Sequence, residues 1–175
     1  MNKTDNTAMP QLSFHKALLN DLDEINIIYK TAIADMISHG ILQWDEIYPD
    51  RETIRQDIIK GEMYIARHGT LPAAAYTLNS ECDNEYINGN WKNISEPYFI
   101  VHRLCVNARL QKQGIGTYIM LHIEEYARNN NASSIRLDCF PENHSATALY
   151  KRLGYTRTGI ATYRKGKFFL MEKML

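Results

Sequence analysis

The chain has 175 residues, of which 45% are hydrophobic and 23% charged, with 20 basic and 20 acidic side chains and no formal net charge. That length suits one packed domain, and the composition excludes disorder as the main state of the chain. The charge balance excludes a globally basic nucleic-acid footprint or a polybasic membrane anchor. No apolar run exceeds four residues, so no membrane-spanning helix fits.

Residues 1–10 are polar, lack the apolar core of a secretory signal and read as a flexible tail; residues 11–175 form the expected single domain. Residues 11–17 alternate as a first strand. Asn20 reads as an N-cap with Asp21, Asp23 and Glu24 in the first turn, and Leu22, Ile25, Tyr29, Ala32, Ile33 and Met36 follow at helical spacing to about Ser38. Asp50 caps a second, short helix that stops at Gly61. Residues 62–67 and 71–78 form a hairpin around His68-Gly69. The polar stretch 79–97 is a long excursion of the kind that is functional or mobile. Residues 98–106 are a strand, 114 onwards a helix, 134–139 a strand, and 143–153 a helix closed by Gly154. Two strands around Arg164-Lys165-Gly166 end the chain. The order β-α-α-β-β-β-α-β-α-β-β predicts a mixed α/β (α+β) domain with a mostly antiparallel sheet, and one parallel crossover within 98–139.

Cys82, Cys105 and Cys139 are widely spaced and form no CxxC pair, and the six histidines form no HExxH, so no metal site or disulfide framework is expected. A reduced, cytoplasmic setting is expected. The informative stretch is Gln111-Lys112-Gln113-Gly114-Ile115-Gly116, which follows a strand and opens a helix. A helix N-terminus offers unpaired N–H donors and a positive dipole end, and glycines admit close approach to the backbone, so the pattern suits a phosphate or pyrophosphate. A P-loop is excluded by the missing GxxxxGK[S/T]. A dinucleotide fingerprint is disfavoured because the third glycine is absent and the loop lies about eight residues beyond the strand.

Downstream, Asn143, Ala146, Leu149-Tyr150 and Gly154-Tyr155 are spaced as N-x-x-A-x-x-L-Y-x-x-x-G-[F/Y]. Together with Gln111, Gly114 and Gly116, matching [R/Q]-x-x-G-x-[G/A], these segments make the chain resemble the GNAT family of N-acetyltransferases. The detailed match covers roughly 98–156. The resemblance implies a central sheet flanked by helices and splayed at two strands, here 98–106 and 134–139. It implies acetyl-CoA as co-substrate and an amine as acceptor, a small or amino-acid-like one by preference. It also allows a homodimer.

By that resemblance, Leu104, Cys105 and Val106 offer backbone bonds to pantetheine. The N–H groups of Gln111, Lys112, Gln113, Gly114, Ile115, Gly116 and Thr117 hold the pyrophosphate, and Asn143 reaches toward the pantetheine arm. Lys112, Lys151 and Arg152 suit phosphate charge and equally suit a solvated helix face. Tyr150 stands where the family places a proton donor to the leaving thiolate, though it also fits the apolar face of its helix. His102 is a candidate base, expected to share a face with Ile100 and Leu104. Ile100 stands where other members carry a carboxylate, so the base stays open. Glu81, Asp83 and Glu85 can reach the acceptor or lie on a solvated loop. Tyr29, Trp44, Glu46, Tyr48 and Trp91 can line an acceptor pocket by cation–π and ionic contacts, or belong to the core. A non-catalytic acyl-CoA-binding module, a protein lysine or N-terminal acetyltransferase, and an unrelated phosphate-binding domain remain the alternatives.

Overall fold

The computed structural model describes residues 11–94 and 97–175; the expected tail at 1–10 lies outside them. Among these residues β1 (Leu12–Lys16) leads to α1 (Leu22–Ser38), α2 (Arg51–Ile59), β2 (Met63–His68) and β3 (Leu71–Asn79). Then come β4 (Phe99–Val106), α3 (Ile115–Asn129), β5 (Ser134–Cys139), α4 (His144–Arg152), β6 (Thr156–Tyr163) and β7 (Gly166–Met174). The strands form one sheet in the order β1-β2-β3-β4-β5-β7-β6, antiparallel except between β4 and β5. The element order matches the sequence reading.

One cap differs. Asn20 lies inside a 3-10 turn, Leu19–Asp21, and Asp21 directly precedes α1. The Asp21 carboxylate turns back to accept from the Leu18 N–H at 2.8 Å, which tightens this entry. Asp50 caps α2 as expected, accepting from the Thr53 N–H at 2.8 Å.

Helices α3 and α4 cover one face of the sheet, where Ile119, Met120, Ile123, Ile135, Leu137 and Tyr150 are buried together. On the other face α1 and α2 bury Ile25, Tyr29, Ile54, Met63 and Ile65. The rest of that second face is covered by the excursion after β3. Tyr86 is buried there against Ile100, Ala161 and Leu170. This segment is pinned rather than loose. The Arg136 guanidinium lies 4.5 Å from the Trp91 ring centre and 3.9 Å from that of Tyr98, and it donates to the Asn93 carbonyl. Glu172 accepts from the Lys92 N–H at 2.6 Å. Gly89 bridges Gly159, and a side chain at Gly159 would overlap the Asn88 carbonyl.

Two irregularities in β4 position the site. Its ladder with β5 covers only Phe99 to Val101, after which the two strands part. Its ladder with β3 slips one residue, so that Arg103 and Leu104 together oppose Tyr76. Arg103 takes the left-handed conformation, φ 53°. Its freed carbonyl accepts from the Tyr29 hydroxyl at 2.6 Å. Its guanidinium donates to Asp57 Oδ2 through Nε at 2.9 Å and Nη2 at 2.5 Å, and to the Tyr48 hydroxyl at 2.7 Å. The bulge overturns the expectation that His102 and Leu104 share a face. Ile100 and His102 point toward Tyr86, whereas Leu104 packs with the α3 and α4 core. One extra residue reverses the alternation of every residue after it.

Candidate active site

Where β4 and β5 part, a cleft of about 580 Å³ opens. Its walls come from both strands, the start of α3, the face of α4, and the end of α1 with the segment after it. Of the residues singled out from sequence, Leu104, Cys105, Val106, Gln111, Lys112, Gly114, Ile115, Gly116, Thr117, Asn143, Tyr150 and Trp44 line this one space.

The α3 end of the cleft is built for close approach. Gly114 precedes the helix with φ 80°, and Lys112 also has positive φ at 62°. A β-carbon on Gly114 would meet nothing within 4 Å, so the glycine serves the backbone angle rather than the space. A β-carbon on Gly116 would come within 3.2 Å of Leu149 Cδ2, so that glycine lets α3 pack against α4. The first backbone bond of the helix is Tyr118 N–H to Gly114 carbonyl, 3.1 Å. The N–H groups of Ile115, Gly116 and Thr117 therefore lack intrahelical partners and face the cleft mouth. Lys112 and Arg152 add positive charge at this mouth, Arg152 donating to Thr117 Oγ1 at 3.1 Å, whereas Lys151 lies outside it. Gln113 is turned away, its amide donating to the Arg109 carbonyl at 3.4 Å. The Gln111 amide covers the Val106 carbonyl at 3.3 Å.

Asn143 caps α4, accepting from the Ala146 N–H at 3.1 Å. Its amide nitrogen donates to Gln43 Oε1 at 2.9 Å, tying α4 to the segment after α1. Tyr150 is 92% buried in α4, and its hydroxyl makes no hydrogen bond among the described residues. Burial raises its pKa, with Cys139 and Asp138 adding to the shift, so the phenol keeps its proton.

The remaining residues stand elsewhere. His102 does not line the cleft; its Nε2 faces Asn79 Oδ1 at 3.1 Å. Burial, then the neighbouring Arg103 charge, pushes its pKa down to about 4. Tyr29 is buried behind the bulge, and Trp44 packs on it at 5.7 Å between ring centres. Glu81 is exposed and paired with Lys60 at 3.1 Å. Trp91 stacks on Tyr86, Tyr48 serves Arg103, and Asp83 accepts from the Tyr163 hydroxyl at 3.4 Å.

Asp138 is a titratable cleft residue that the sequence did not single out. Asp138 lies at the end of β5, beside the gap. It accepts from the Tyr86 hydroxyl at 3.0 Å. Burial, and then the nearby Asp83, outweigh that bond and push its pKa up to about 6. The available signal was its place in the strand, where Arg136 and Asp138 alternate with the apolar Ile135, Leu137 and Cys139.

These features are a helix N-terminus facing a strand gap, with a buried phenol and a carboxylate beside it. The family model described as Acetyltransferase (GNAT) family matches residues 36–155. The chain belongs to this family. Among curated proteins it is similar to the uncharacterised N-acetyltransferase YesJ of Bacillus subtilis (strain 168), 25% identical over 146 residues, covering 82% of this chain and 81% of that one. A GNAT-family acetyltransferase of Streptococcus agalactiae shares the fold with a TM-score of 0.83 at 19% identity, over 94% of this chain and 95% of the other. The PaiA N-acetyltransferase of Thermoplasma acidophilum, solved in complex with coenzyme A, aligns with a TM-score of 0.66 at 16% identity, over 94% and 99%. Among the described residues no group of three or more His, Cys, Asp or Glu is arranged to hold a metal ion, and no helix is long and apolar enough to cross a membrane.

Proposed function

We propose that this GNAT acetyltransferase transfers the acetyl group of acetyl-CoA to the nitrogen of a small amine, with Tyr150 as proton donor. The observation that carries the reading is that Tyr150, whose hydroxyl makes no hydrogen bond among the described residues, lines the same cleft as the α3 N-terminus. The residues present fit a CoA thioester. The free N–H groups of Ile115, Gly116 and Thr117, with Lys112 and Arg152, suit its pyrophosphate. The β4 edge beyond Val101, released from β5, suits the amides of its arm. Bound there, the thioester supplies an activated acetyl group and a thiolate leaving group. Tyr150 delivers a proton to that sulfur and regains one through solvent.

The cysteines of the cleft do not suit a covalent acyl carrier. Burial pushes Cys105 up to about 12 and Cys139 up to about 11, so both stay thiols at neutral pH. Transfer is therefore direct. The test combines melting and turnover. Acetyl-CoA at about a hundred times its Kd adds roughly 2.7 kcal/mol to the native state and raises the Tm, whereas ATP does not. Tyr150→Phe keeps that rise and lowers CoA release with an amine panel by about 10²–10⁴. No rise with millimolar acetyl-CoA removes the donor assignment, and full turnover by the phenylalanine variant removes Tyr150 from the chemistry.

A further inference from the structure

An alkylamine reaches the site protonated at neutral pH and attacks only as the free base, so something in the cleft has to take a proton. The charged or titratable residues lining it are few. Asp35 and His39 are exposed and lie together at the end of α1. Lys112 and Arg152 are cations at the opposite mouth. Cys105, Cys139 and Tyr150 hold their protons. Asp138 remains. It projects to the α1 and Tyr86 side of the sheet, across the gap from α4. Tyr86 holds one of its oxygens, and no other side chain among the described residues donates to it. No Lys, Arg or His among them pairs with it as an ion. A half-buried carboxylate that makes no ion pair is under-solvated, and a substrate ammonium supplies the missing charge.

We propose, resting on the acetyl-transfer reading above, that Asp138 is the base of this enzyme, receiving the acceptor as an ammonium ion and taking its proton, with Tyr86 as the positioning residue. The protons balance. Asp138 takes one proton from R–NH3⁺ and leaves a neutral amine with its lone pair free. The N–C bond forms and the C–S bond breaks, and sulfur receives the Tyr150 proton. The second proton lost by nitrogen restores Tyr150 through solvent, and Asp138 releases its own to water. One proton leaves per acetyl group transferred. The base thus comes from β5, while the β4 position expected to carry it is the apolar Ile100.

The groups facing Asp138 set its pH behaviour. Tyr48 precedes α2, Asp83 and Tyr86 belong to the β3–β4 excursion, Arg103 lies on β4, and Cys139, Tyr150 and Tyr163 complete the surroundings. The four phenols are raised and neutral near pH 6, and Arg103 stays cationic. Against these neighbours Asp138 itself titrates there, at about 6.

The test uses the full chain, acetyl-CoA, and butylamine, benzylamine, glycine and lysine as acceptors. The wild-type rate falls below about pH 6 as Asp138 gains its proton. Asp138→Asn lowers kcat by about 10²–10⁴, loses that acid limb and still melts higher with acetyl-CoA. Tyr86→Phe lowers kcat by less than Asp138→Asn does and moves the limb upward, because the bond it removes both holds the carboxylate and favours its charged form. Melting without ligand gives an independent readout. The folded pKa is above the unfolded value of about 3.9, so ionisation opposes folding: the cost is absent below about pH 4 and complete above about pH 6. Asp138→Asn therefore melts higher than wild type near pH 8, by a margin that shrinks as pH falls. Wild-type turnover matched by Asp138→Asn overturns this proposal alone. Wild-type protein that neither binds acetyl-CoA nor releases CoA overturns the acetyl-transfer reading, and this proposal with it.

Discussion

Replacing Asp57 by asparagine keeps the shape of that side chain and removes its charge. Asp57 Oδ2 accepts from Thr77 Oγ1 at 2.7 Å and from two nitrogens of Arg103. The two charged side chains are 11% and 13% exposed. Burial alone would lower the Arg103 pKa, but Tyr48 and Asp57 outweigh it and hold the guanidinium above its ordinary value. Asp57→Asn therefore leaves a cation that cannot neutralise itself. Removing one partner of a buried pair costs about 3–5 kcal/mol. For a domain of this size each kcal/mol shifts the Tm by about 2–4 °C, so a fall on the order of 6–20 °C is expected. The assay is urea unfolding of Asp57→Asn, Arg103→Met and the double variant. The double variant is expected to be more stable than the sum of the single losses implies, by at least about 1.5 kcal/mol, because it strands no charge. The Tyr29 hydroxyl bonds to the backbone carbonyl of residue 103, so that bond survives all three. Additive losses, or a cost for Asp57→Asn under about 1 kcal/mol, would refute the claim that this pair fastens the bulge.

Two further outcomes follow from the cleft. Gly114→Ala forces a β-carbon into a left-handed conformation without a clash, so it lowers stability by about 1–2 kcal/mol in chemical denaturation and weakens acetyl-CoA binding measured by calorimetry; equal stability and affinity would mean the loop re-forms without that angle. Cys139→Ser keeps turnover within about tenfold, and rapid-quench mass spectrometry of the wild type finds no acetylated protein, since a thiol of pKa about 11 is a poor nucleophile near pH 7; an acetyl adduct on Cys139 would replace direct transfer by a two-step route.

The fold and the part of the cleft proposed to hold CoA were legible because their signals are local. Hydrophobic period, the Asp50 cap and the glycines at the start of α3 each act within a few residues of themselves. Asn143 and Tyr150 were legible through their spacing, and they line the same cleft as the glycine loop. The acceptor side was not legible. The bulge at Arg103 depends on partners 46 and 74 residues away in sequence, Asp57 and Tyr29, and it alone decides which way Leu104 points. Asp138 gains its character from burial and from Tyr86, 52 residues away. Glu81 and His102, which stand out as polar residues in sequence, are absorbed by Lys60 and Asn79.

The crossing of Gly89 and Gly159 has a consequence for how this enzyme can be altered. There the excursion meets β6 main chain to main chain, and a β-carbon on either glycine would collide, with the Trp91 ring or with the Asn88 carbonyl. The docking is thus written in peptide groups, while Asn84 and Ile87 nearby are exposed. Side chains on that outer surface can be exchanged without disturbing the joint. For surface redesign, the excursion is a replaceable panel on fixed joints: exchange Asn84 and Ile87, and leave Asp83, the buried Tyr86 and the two glycines alone.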